Sequence, residues 1–112
     1  MTDYQPTPFS LAVAERDGRV VVTVLGELDL STSGEVEAAV LPVVRGGGHA
    51  VLDLRGLEFM DSSGVRVVVA AHAAAEEHGG RLTLVVSQDG SPVRRVLEIS
   101  GLVSILNVVQ EP

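Results

Sequence analysis

Residues 50–80, AVLDLRGLEFMDSSGVRVVVAAHAAAEEHGG, decide the fold. Ala50–Leu54 is short, apolar and bounded by glycines, which predicts a buried strand. Asp61-Ser62-Ser63-Gly64 then opens a long helical stretch that runs to about His78, where Gly79-Gly80 stops it. Leu82–Val86 resumes as another buried strand. A strand, a helix and a strand in that order make a crossover between parallel strands.

The same alternation extends outward in both directions. Upstream, Phe9–Ala14 loosely alternates and Val20–Leu25 is almost continuously Val and Leu, with Asp17-Gly18 between them as a hairpin turn signal. Gly26 is expected to break the second run. Ser31, Thr32 and Ser33 are candidate N-caps for a helix over about Ser33–Val44, with Val36, Ala39, Val40 and Val43 on one face and Glu35 and Glu37 near the start. Pro42 predicts a kink or an early end to that helix, and Gly46-Gly47-Gly48 a firm stop. Downstream, Ser91-Pro92 reads as an N-cap with proline in the first turn of a helix towards Ile99, followed by Gly101. Val103–Val109 is expected to be a last strand or extended segment. The fold class is therefore α/β: one domain over residues 9–112, behind a loose lead-in over residues 1–8. Its sheet is mostly parallel, of four to five strands begun by an antiparallel hairpin, with about three to four helices.

Composition narrows the chemistry. The 112 residues carry 15 Asp and Glu against eight basic residues, all Arg, for a net charge of −7. Such a chain repels phosphate backbones and anionic lipid, which argues against nucleic-acid or membrane-surface binding. The absence of Lys removes Schiff-base, P-loop and lysine general-base chemistry. The absence of Cys removes disulfides, thiol catalysis and cysteine-based zinc motifs. The amino terminus has no signal-peptide pattern, and Arg66 and His72 interrupt the longest apolar stretch, so a cytoplasmic domain is expected. His49, His72 and His78 have no metal-type spacing, and no cofactor or metal is expected.

In a parallel sheet, function gathers where strand carboxyl ends meet helix amino ends. Two segments lie there: Gly26-Glu27-Leu28-Asp29 and Asp61-Ser62-Ser63-Gly64. A serine held at the start of a helix lies beside unsatisfied N–H groups and the positive end of the helix dipole, where an anion is tolerated. A phosphate on Ser62 would add about 1.5 to 2 negative charges without unfolding the domain. On residue types alone, Asp-Ser-Ser-Gly also reads as a plain helix cap, and Asp29 as a plain turn residue. On the long helix, Val65, Val68, Val69 and His72 share one side, assigned to the core. Arg66, Ala70, Ala73 and Glu77 share another, either a docking face for a partner or an ordinary alanine-rich surface.

The run VLDLRGLEFMDSSGVRVVVAAHAAA (51–75) resembles the signature of the STAS family, specifically the bacterial anti-sigma factor antagonists. GELDLSTSGEVEAAV (26–40) resembles the same family's other marked segment, and the likeness extends from the opening hairpin to the late SPVRRVLEISGL helix (91–102). The resemblance implies a protein without catalytic activity of its own. It would bind an anti-sigma factor that is also an ATP-dependent serine kinase of the GHKL type, and so release a sigma factor. The kinase would phosphorylate a serine of DSSG, weakening the complex, and a PP2C-type phosphatase would remove the mark. The family's acceptor falls on Ser62, with Ser63 as runner-up. Asp29 and Asp61 are the charges expected nearest to it, either positioning the hydroxyl or repelling the phosphate. Ser63, Gly64, Arg66 and Ala70 are expected to neighbour the phosphosite or touch the partner. The chain departs from the family at Val65, where Leu is common, and in the less polar Leu30-Ser31-Thr32 after Asp29, which leaves partner specificity open.

Other functions fit less well. A phospho-aspartate receiver with Asp53 or Asp61 as acceptor needs a lysine that is missing. A serine hydrolase needs a G-x-S-x-G turn and a placed base, and DSSG supplies neither. A STAS scaffold or nucleotide-sensing module of the stressosome kind, with no sigma-factor partner, is the alternative within the fold. A free chain is expected to be a monomer.

Overall fold

The protein is described here from a computed structural model covering residues 7–88 and 91–111. Residues 1–6 of the expected lead-in lie outside that description. The elements run β1 (Ser10–Arg16), β2 (Arg19–Leu28), α1 (Ser33–Arg45), β3 (His49–Asp53), β4 (Leu57–Met60), α2 (Ser62–His78), β5 (Arg81–Val85), α3 (Pro92–Ile99) and β6 (Asn107–Val109). A 3₁₀ turn over Leu102–Ser104 precedes β6.

β1 and β2 form the antiparallel hairpin, turned by Asp17 (φ 53°) and Gly18 (φ 77°), two residues in the left-handed region that suits a tight hairpin. The remaining pairings are parallel, and the sheet order is β1-β2-β3-β5-β6. β4 makes the sheet six-stranded by pairing with the far end of β2, beyond the point where β3 leaves it. That strand was not expected: its four residues are too few to show a period. The expectation that Gly26 ends the second strand is also corrected. β2 continues to Leu28 through an irregularity in the β4 pairing at Gly26/Glu27, where Gly26 has φ +92° and a Cβ would come within 2.9 Å of the Thr7 carbonyl and the Phe9 backbone.

One face of the sheet carries the main core. Val22, Val24, Leu52, Leu54, Leu84 and Val86 are buried there against the helices, including Val36, Val40 and Val44 of α1 and Val67, Val68 and Ala71 of α2. Strand alternation sends Val21, Val51 and Val85 to the opposite face, where they form a separate small cluster with Val109. The helix expected over about Ser33–Val44 forms as α1 and runs through Pro42 to Arg45, without the early end. One helix expectation is corrected. On α2 the buried face is Gly64, Val67, Val68, Ala71, Ala74 and Ala75, while Val69, assigned to the core, is 44% exposed. The run Val65–Val69 has four valines in five positions, so apolar spacing could not choose the face; packing against α1 does.

Candidate functional site

The site forms where β2 and β4 end. Leu28 and Met60 are register partners, so Asp29 and Asp61 leave two neighbouring parallel strands at the same level. The Asp61 N–H donates to the Leu28 carbonyl (3.2 Å), which ties the two strand ends together. Asp61 is the N-cap of α2: its Oδ1 accepts from the Ser63 N–H at 2.8 Å, and its carbonyl accepts from the N–H groups of Gly64 and Val65. Ser62 is the first helical residue and is exposed, and Ser63 is half-buried. Gly64 is fixed by space: a Cβ would collide with Met60 Cγ and come within 3.0 Å of Leu28 Cγ. The tight approach of α2 to the strand ends thus sets where Ser62 sits.

Asp29 belongs to a second local network. Its carboxylate accepts from the Ser31 N–H (3.0 Å), the Ser31 hydroxyl (2.7 Å) and the Thr32 hydroxyl (3.3 Å), and its carbonyl accepts from the Thr32 and Ser33 N–H groups. The Ser31 hydroxyl bond leads the contacts that hold its pKa below the ordinary carboxylate value. Thr32 precedes α1 but makes no side-chain cap bond; its hydroxyl donates to the Glu27 carbonyl at 2.9 Å. Asp29 is therefore a negative charge held by its own turn. Among the described residues neither aspartate bonds the Ser62 hydroxyl: both carboxylates are committed elsewhere, Asp61 to the Ser63 N–H and Asp29 to its own turn.

Arg66, Ala73 and Glu77 lie on the solvent side of α2 with Ala70 half-buried, and the exposed Val69 adds an apolar patch to that side. His72, expected on the core side, is half-buried and lies 2.8 Å from Glu76 one turn on. Sequence reasoning missed α3 as part of this region. A recess of about 360 Å³ opens beside Ser62, lined by Met60, Asp61, Val65, Val96, Ile99 and Ser100. Ile99 is 79% exposed at its rim, and Leu30, next to Asp29, is exposed as well. The signal for it was slight: an isoleucine in the last turn of a short helix, one residue before the Ser100-Gly101 stop. Chemically the site offers an exposed nucleophilic hydroxyl, a local negative field and an apolar recess. Among the described residues no side chain bonds the Ser62 hydroxyl, and no His, Asp or Glu cluster could hold a metal.

Comparison with known proteins places this geometry in context. The profile of the family described as "Mlab, STAS domain" matches residues 11–108. An anti-sigma F factor antagonist of Paenibacillus polymyxa is 36% identical over 93 residues, covering 81% of this chain and 78% of that protein. The crystal structure of an anti-sigma factor antagonist from Mycobacterium paratuberculosis superposes with a TM-score of 0.81 at 28% identity, covering 93% of this chain and 87% of that one. The Bacillus cell fate determinant SpoIIAA in its phosphorylated form gives a TM-score of 0.64 at 27% identity, covering 93% of each chain.

Proposed function

The chain belongs to the STAS domain family, and on that footing we propose that it is an anti-sigma factor antagonist whose partner binding is switched off by phosphorylation of Ser62. Its occupant would be an anti-sigma factor with serine kinase activity of the GHKL ATPase type, and binding would release a sigma factor. A PP2C-type phosphatase would restore the binding form. Residues 9–112 would act as one cytoplasmic unit, monomeric when free. The names carried by its relatives are those of binding regulators and not of enzymes.

One observation supports this most: an exposed serine stands at the first position of α2, directly after its cap Asp61, beside an apolar recess and at the end of the strand pair whose other strand leads into Asp29. An unmodified hydroxyl is a small neutral group that a partner can cover. A phosphate there carries about 1.5 to 2 negative charges; the helix start tolerates it, but a covering partner must desolvate it next to Asp61. A penalty of about 2 to 3 kcal/mol weakens binding roughly 30- to 150-fold, enough to reverse partner choice. Arg66, Val69 and Ala70 continue the contact surface along α2, and Ser63, half-buried and bonded through its N–H to Asp61, is the poorer acceptor.

The test is incubation with the cognate kinase and ATP, read by mass spectrometry. One phosphate on Ser62 is expected, with none on a Ser62→Ala protein. Ser62→Asp should weaken binding to the kinase while its thermal midpoint stays close to that of the unmodified protein. A Ser62→Ala protein phosphorylated as well as the unmodified chain would remove Ser62 from the switch.

A further inference from the structure

At the end of the sheet farthest from Ser62, four basic residues stand in one register row. Arg16 pairs with Arg19 across β1 and β2, Arg19 with His49 across β2 and β3, and His49 with Arg81 across β3 and β5. Register partners share a face, and this one is the face away from the helices: Val21, Val51 and Val85 lie on it, and the buried apolar side chains of the helices belong to the core on the other side. Arg55, which also borders this face, is paired with Asp53. Half of the chain's eight arginines are thus gathered at one sheet face of a molecule whose net charge is −7.

The charges of the row are its three arginines, with His49 between them as a neutral hydrogen-bonding group. Among the described residues the only ion pairs are Arg55–Asp53 and His72–Glu76, so Arg16, Arg19 and Arg81 have none. His49 Nε2 lies 2.8 Å across the face from the Thr83 hydroxyl, and that hydroxyl accepts from Asn107 Nδ2 at 2.9 Å. Burial, then the Arg81 and Arg19 charges, hold the His49 pKa below its ordinary value. Two acidic residues, Asp17 of the hairpin turn and Asp53, share a recess of about 490 Å³ with Arg16 and Arg19, and Asp53 is already paired with Arg55.

Like charges in one row destabilise the sheet when nothing opposes them. An anion laid across the strands removes that repulsion. With strands about 4.8 Å apart, the row spans on the order of 14 Å, the reach of four to five extended residues. That exceeds a single phosphate or carboxylate and suits a short run of acidic side chains. A long polyanion such as nucleic acid would also meet the acidic remainder of the surface. We propose that the row Arg16, Arg19, His49 and Arg81 is a docking surface for an acidic stretch of a partner protein, laid across the strands on the helix-free face. β2 carries ten residues, which puts the row about 30 Å from the end of β2 where Ser62 lies, so both surfaces can be occupied at once.

The test uses the full ¹⁵N-labelled chain titrated with a capped hexaglutamate peptide at low salt, followed by backbone amide shifts. Shifts confined to residues 15–21, 48–51 and 80–83 are expected, unchanged by Ser62→Asp and lost as salt is raised. Arg19→Glu with Arg81→Glu should weaken binding by at least about tenfold. Arg16→Gln, at an exposed strand end where folding is not at stake, should weaken it in the same direction. Absent shifts, shifts centred on Arg94 and Arg95, or unaltered affinity in both variants would overturn the assignment. Tighter binding of an eight-nucleotide single-stranded DNA than of hexaglutamate would overturn it too, in favour of a polyphosphate surface. Because Ser62→Asp leaves these readouts in place, failure here is distinguishable from failure of the phosphoserine switch.

Discussion

At the scale of single residues, two aspartates that look alike in sequence carry different loads. Asp29 makes hydrogen bonds to Ser31 and Thr32 that build the turn into α1, so its charge and its structural role are inseparable. Asp61 makes one side-chain bond, to the Ser63 N–H, and an asparagine oxygen can accept it equally well. Asp61→Asn should therefore leave folding stability unchanged to within about 0.5 kcal/mol while removing a charge beside Ser62. If the phosphate is disfavoured partly by Asp61, the ratio of kinase affinities for the unmodified and phosphorylated forms should narrow in this variant. Equilibrium binding of the two forms measures that ratio, and an unchanged ratio would leave the repulsion to Asp29 or to the partner. The residue types at this site were readable from Asp-Ser-Ser-Gly. The committed hydrogen bonds of the two carboxylates were not, because they depend on β2 and β4 ending side by side.

At the scale of elements, the legible parts were those with strong local signals. The Asp17-Gly18 turn, the Asp61 and Ser91 caps and the left-handed Gly79 and Gly101 stops all stand where turn and cap chemistry puts them. What the local signals left open was settled by packing. α1 continues through Pro42 because two buried residues flank it: Leu41 and Val44 are each worth about 1.5 to 3 kcal/mol, against about 3 kcal/mol for an interior proline. Tertiary burial wins, and the cost of the proline stays in the helix. Pro42 is itself exposed, so Pro42→Ala removes that cost without opening a cavity. An increase in stability of about 1 to 3 kcal/mol is expected in chemical denaturation. No increase would mean that α1 has already adjusted around the proline. The same contest explains β4, whose four residues become a strand only because β2 runs past Gly26 and offers them an edge.

At the scale of the whole molecule, charge and burial together set the response to acid. His49 has its pKa lowered by burial and by Arg81 and Arg19, so the unfolded chain binds a proton at this site before the folded one does. Stability should fall as pH drops below the ordinary histidine value of 6.5, and continue falling until the folded-state value is reached. Asp53 is 8% exposed, and burial alone would raise its pKa. Three hydrogen bonds from Arg55, two from its side chain and one from its backbone N–H, together with its charge outweigh that and hold it below 3.8. Its contribution is present above that value and is lost as pH falls through the folded-state value. Both groups therefore destabilise the fold on acidification, His49 from 6.5 downward and Asp53 from 3.8 downward. Protonating the surface carboxylates works the other way, because it relieves the self-repulsion of a chain of net charge −7. That relief is common to the unmodified protein and any neutral variant, so a difference between the two isolates one group. His49→Gln keeps a side chain able to bond Thr83 and cannot titrate. Thermal midpoints of the variant should decline less than those of the unmodified protein between pH 7 and pH 5, while the decline below pH 3.8 stays in both. Parallel curves through the upper window would mean that His49 titrates alike in the folded and unfolded chains, and that the arginines flanking it exert no net field there.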